Sequence, residues 1–116
     1  MCGRNALYGP MSRLREAMLL AECPEYGERY NTAPQASILV VRDKPGTRRV
    51  GQMAKWSLVP ASAKDPAIGA RLNNARGETV AEKHAFRSSF ARHRCLIPAN
   101  GFYEWQPVRG FSRQRP

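Results

Sequence analysis

The chain has 116 residues, enough for one small domain with a single modest core. Its 42% hydrophobic and 24% charged residues are ordinary globular values that exclude disorder throughout, and no apolar run approaches the ~18 residues of a membrane helix. Nineteen Lys and Arg against nine Asp and Glu leave a net charge of +10, which favours polyanionic partners, nucleic acid first.

In chain order, "MCGRN" puts a cysteine second. If Met1 is trimmed, Cys2 carries two nucleophiles on neighbouring carbons, the α-amine and the thiol. "MSRLREAMLLAEC" spaces Leu14, Ala17, Met18 and Ala21 as one helical face, with Ser12 as a cap and Pro24 as a stop. "ERYNTAPQA" reads as a polar loop with a bend fixed by Pro34. "SILVVR" and "RVGQMAKW" read as two strands joined by the turn "DKPGTR". "SLVPASAKDPAIGA" reads as a loop broken by Pro60 and Pro66. "TVAE" is a capping box that predicts a helix from Thr79 toward Phe86 or Phe90. "RCLIP" and "GFYEWQ" are strand-like, separated by the turn "AN". No repeat or linker interrupts this pattern. It predicts one α+β domain over residues 1–116 with a mainly antiparallel sheet.

The N-terminus lacks an apolar leader and cleavage site, which predicts a cytoplasmic protein, nucleoid-associated if bacterial. The three cysteines, Cys2, Cys23 and Cys95, are odd in number and lack metal-ligand spacing, and His84 and His93 join no Cys/His cluster. No disulfide framework, metal or cofactor is expected. Cys23 and Cys95 read as packing residues, which leaves Cys2 as the thiol to explain.

In "GFYEWQ" successive residues alternate faces, so Phe102 and Glu104 share one and Tyr103 and Trp105 the other. Glu104 has two readings. It is an edge-strand carboxylate facing water, or a partly desolvated one with a raised pKa, suited to general acid/base work.

Four blocks in order, "MCGR", "RYNTAP", "NARGETVAEK" and "GFYEW", resemble the SOS-response-associated peptidase family, which senses abasic sites in DNA. The likeness runs essentially from Met1 to the last residues. It implies a barrel-like α+β fold and covalent capture of abasic sites in single-stranded DNA. The amine of Cys2 would form a Schiff base with the aldehyde of the opened sugar, and the thiol would close a five-membered thiazolidine. The peptidase label would refer to removal of the residue ahead of Cys2 and to self-release. Asn74 would orient the sugar or the Cys2 amine, and Glu104 would shuttle protons. Arg4 and Arg76 would hold phosphates, while Asn31 and Pro34 match positions that line the family's pocket. Each has a plainer reading: Asn74 and Asn31 as turn-formers, Arg76 as a solvated charge, Pro34 as a bend, with Trp56 and Trp105 as core.

The chain also departs from the family pattern. Ser62 stands where a DNA-stacking tryptophan is expected, a loss of ~1–3 kcal/mol per base. Asn5 replaces a usual aromatic and Asn73 a usual aliphatic, placing amides where a core wants hydrocarbon. The family domain runs further than this chain and includes an "IHDR"-like segment whose histidine assists the chemistry. A shortened sheet would leave strand edges open to self-association. Two other classes compete with abasic-site capture: an amidotransferase-like hydrolase using Cys2 on glutamine, and a non-catalytic basic nucleic-acid binder.

Overall fold

Four consecutive apolar residues, Ile38 to Val41, are only 1–4% exposed, and this run builds the centre of the molecule. Continuous rather than alternating hydrophobicity marks a strand covered on both faces, and each such side chain contributes ~1.5–3 kcal/mol on burial. The computed structural model describes residues 2–46 and 48–106. The strands are β1 (Arg4–Leu7), β2 (Leu20–Glu22), β3 (Arg29–Thr32), β4 (Ser37–Arg42), β5 (Arg49–Lys55) and β6 (Gly101–Tyr103). The helices are α1 (Met11–Met18) and α2 (Arg87–Arg92), with a 3₁₀ helix over Pro66–Arg71.

The strands form two three-stranded sheets, ordered β3-β1-β6 and β2-β5-β4. All pairings are antiparallel except β2 with β5, which is parallel. The fold is therefore α+β, as the sequence predicts, and no barrel closes among the described residues. The β4–β5 hairpin pairs without interruption from Ser37↔Lys55 to Arg42↔Val50. Ile38 and Val40 pack with Trp56 into a buried cluster, against which Cys2 and Ala54 lie.

Several elements differ from the sequence reading. The first helix ends at Met18, well before Pro24, because Leu19 adopts the left-handed conformation (φ 56°) and its N–H caps the carbonyls of Arg15 and Glu16. The chain then enters β2, which gains a partner in β5. The residue ahead of the helix is Pro10, not Ser12, and no side chain caps it. "RYNT" is a strand rather than a loop, since β1 supplies its ladder through Asn5↔Thr32 and Leu7↔Arg29. Pro66 opens the 3₁₀ helix, and the Asp65 carboxylate accepts from the Ala67 N–H at 2.8 Å. Around Thr79 the chain makes successive turns, and regular helix begins only at Arg87. With no buried side chain in α2, little offsets the cost of extending it backward. "RCLIP" contributes a single bridge, in which Leu96 and Val41 exchange two hydrogen bonds of 2.8 Å. No helix among the described residues is long and apolar enough to cross a membrane.

Candidate functional site

The spine of the site is β1, with Cys2 two residues ahead of it. β3 and β6 flank it, so segments remote in sequence converge beside the N-terminus. Cys2 is half-buried on the apolar floor of Ile38, Val40 and Trp56. Its carbonyl oxygen accepts a hydrogen bond of 3.0 Å from the Asn74 side-chain amide, across 72 residues of chain. Its thiol lies 3.8 Å from the carbonyl of Arg4.

The loop carrying Asn74 is fixed from below. The Trp56 indole N–H donates to the Asn73 carbonyl at 3.3 Å, and the Leu58 N–H donates to the Leu72 carbonyl at 3.0 Å. Asn73 thus holds the loop through its main-chain carbonyl. Trp56 also holds the turn after β3: its carbonyl accepts from Gln35 and its N–H donates to Ala36, both at 2.9 Å. Gln35 sits there in the left-handed region, with φ 70°. Reading Trp56 as core captures its burial and misses this role. The signal was available, because a buried indole N–H needs an acceptor.

On the far side, the Arg4 guanidinium donates to the side-chain oxygen of Asn31 at 3.2 Å, tying β1 to β3. Tyr103 pairs with Arg4 in register, and its hydroxyl donates to the Tyr30 carbonyl at 3.0 Å. Hydrogen bonds therefore bring Cys2 to Asn74 and Arg4 to Asn31. Pro34 occupies the turn held by Trp56, and Arg76 is exposed two residues beyond Asn74. β6 ends at Tyr103, shorter than the sequence predicts, so Glu104 follows it as an exposed residue. Extending the β1–β6 register by one step would set Glu104 opposite Gly3, next to Cys2.

Burial pushes the other two thiols up, Cys23 against a weaker opposing pull from Arg15 and Cys95 against Arg42, so both stay protonated at neutral pH. Among the described residues no cluster of three or more His, Cys, Asp or Glu could hold a metal ion. A cavity of about 370 Å³ opens at the other end of β1, against Tyr8, Leu14, Met18 and Asn100, and includes none of the candidate residues.

A cysteine seated on a β-sheet floor and clamped by a distant amide, within two small sheets, marks an α+β protein with a candidate site around Cys2. The chain belongs to the SOS response associated peptidase (SRAP) family, whose model matches residues 1–116. It is similar to abasic site processing protein YoaM of Bacillus subtilis (strain 168), with 39% identity over 109 residues, covering 91% of this chain and 48% of that protein. It is also similar to abasic site processing protein HMCES of Pongo abelii, with 30% identity, covering 100% of this chain and 39% of that protein. The chain thus spans about half the length, or less, of the curated relatives it matches. A crystal structure of a Bordetella bronchiseptica protein superposes with a TM-score of 0.73 at 22% identity, covering 90% of this chain and 51% of that one. That likeness concerns the fold.

Proposed function

We propose that this chain carries the reactive N-terminus of an abasic-site processing protein that binds single-stranded DNA and links to the lesion through Cys2. The observation that carries the reading is the Asn74–Cys2 hydrogen bond of 3.0 Å, which brings the "NARGET" block onto the N-terminal cysteine. Asn74 grips the carbonyl, the one polar group of Cys2 that the chemistry leaves alone. The names of the relatives supply the substrate.

The steps balance with water as the only co-reactant. Hydrolysis of the Met1–Cys2 bond frees the α-amine, whose reference pKa of ~8 leaves a neutral fraction near pH 7. The amine adds to the C1′ aldehyde of the opened sugar and the adduct loses water to an imine. The thiol sulfur then bonds to the same carbon, its proton passes to nitrogen, and a thiazolidine results. Glu104 is assigned the proton transfers, and Arg4 and Arg76 the flanking phosphates, with Asn31 orienting Arg4 and Pro34 shaping the adjoining turn.

Intact mass after mixing with an abasic oligonucleotide tests the reading. The expected species weighs as much as the Met1-free protein plus the DNA, less one water. Cys2→Ser retains an amine without a thiol and should yield only an adduct that needs borohydride trapping. Crosslinked material retaining Met1, or a heat-stable unreduced adduct from Cys2→Ser, overturns the mechanism. Glu104→Gln should bind abasic DNA as the parent does and crosslink ~10²–10⁴-fold more slowly. Salt-sensitive binding with no adduct from the parent would instead identify a non-catalytic DNA binder.

A further inference from the structure

Away from Cys2, a groove of about 590 Å³ opens where β4 ends, between the β4–β5 hairpin, α2 and the segment before Leu96. It is lined by Arg42, Arg49, Arg94, Asp43, Phe90 and Leu96, among others. Three guanidinium groups face one carboxylate, and that carboxylate is engaged by Arg49 at 3.3 Å. Among the described residues neither Arg42 nor Arg94 has a carboxylate partner. The Cys95 thiol in the wall is kept protonated by burial, so it adds no negative charge at neutral pH. Among the described residues the groove therefore keeps two cations without a carboxylate partner.

The aromatic component narrows the ligand. Arg94 lies over the Phe90 ring, 5.8 Å from its centroid, and Phe90 is 42% exposed. A guanidinium stacked beside an open ring offers a base a flat surface on which to lie, and a base exposes its face only in an unpaired strand. We infer that this groove binds a single strand of nucleic acid, with phosphates on Arg42 and Arg94 and a base against Phe90. Ile38, in the cluster that seats Cys2, and Arg42, in the groove, lie four residues apart on β4, a rise of ~13 Å. That is about four nucleotides of a stacked strand at 3.4 Å each. β4 thus connects the cluster that seats Cys2 to the groove, and the two share no residue.

The inference takes DNA as the anion from the functional proposal above, and its test uses intact strands so that the two fail separately. Anisotropy of a labelled thymidine oligonucleotide is followed against salt for the parent and variants. Each phosphate contact on a single strand contributes a log–log slope of about −0.7, so Arg42→Ala/Arg94→Ala should be shallower by about 1.4. Arg42→Lys/Arg94→Lys keeps the charge and should keep the slope. Phe90→Ala should weaken binding roughly five- to hundredfold with the slope unchanged, since stacking is neutral. Adduct formation at saturating abasic DNA should match the parent in all three. A double alanine variant that is folded by circular dichroism and keeps the parent slope overturns the inference. So does a Phe90→Ala affinity equal to the parent's, which would mark a general polyanion patch. A parent that forms no adduct while the slopes shift as stated removes the functional proposal and leaves the groove standing.

Discussion

A single amide decides how Cys2 is presented. Asn74 donates to the Cys2 carbonyl at 3.0 Å, and such a bond is worth ~1 kcal/mol net, or about fivefold in a population of oriented residues. Asn74→Ala should slow adduct formation at saturating DNA roughly five- to tenfold and lower the melting temperature by only a few degrees. Asn74→Asp, which accepts and cannot donate when ionised, should resemble the alanine variant. A rate equal to the parent's in both would reduce Asn74 to a turn-former. At the other end of β1, Glu28 accepts from the Gly9 N–H at 2.9 Å and the Tyr30 hydroxyl at 2.8 Å, and Tyr30 stacks on Tyr8 with centroids 5.1 Å apart. The Tyr30 hydrogen bond, then that of Gly9, lowers the Glu28 pKa, while Glu28 raises that of Tyr30. Glu28's lowered value means stability present above the ordinary carboxylate range and lost as pH falls through its folded pKa. Tyr30's raised value means stability present below the ordinary phenol range and lost as pH rises through its folded pKa. Melting temperature against pH should therefore fall at both extremes, and Glu28→Gln should flatten both arms. An unchanged profile would show that this exposed network does not stabilise the fold.

Among elements, legibility followed the source of stabilisation. β4 and β5 were readable because "SILVVR" and "RVGQMAK" hold enough apolar residues to form a hairpin from local pairing. β1 was not read as a strand and "RYNT" was read as a loop. Neither has an apolar run or alternation in its sequence, and each becomes a strand through a partner remote in sequence. The helix over "MSRLREAM" was recovered, while its end was misplaced because Leu19, not Pro24, turns the chain. The candidate site was legible only as motifs. The clamp between Cys2 and Asn74 and the scaffold of Trp56 need the fold to be visible. One close approach gives a sharp test of how β2 meets β5. A Cβ at Gly51 would lie 2.8 Å from the Cys23 sulfur. Gly51→Ala should destabilise by ~1–3 kcal/mol in urea unfolding, and Cys23→Ala in the same chain should recover much of the loss. Additive penalties would mean that the two residues do not oppose one another.

Among the described residues, β3 and β6 stand at the edges of their sheet, and large apolar side chains face water, with Phe102 66% and Tyr30 57% exposed. Unpaired edges bordered by apolar residues invite pairing with another chain. The chain should sediment as a concentration-dependent mixture, and Phe102→Lys should shift it toward monomer; a parent monomeric at all concentrations would refute this.

The clamp across 72 residues has a further consequence in time. Asn74 is synthesised 72 residues after Cys2, and β6 later still. Until they emerge Cys2 lacks the contacts that seat it, and on the proposed function it has no more preference for one aldehyde than a short peptide beginning with cysteine. Its setting is assembled last, by the contacts of highest sequence separation, which are the slowest to close. On the proposed function, selectivity is thus a property that the nascent chain lacks and the finished fold confers. Stalled chains ending before Asn74 and freed of Met1 should react with small aldehydes at the rate of a short peptide beginning with cysteine.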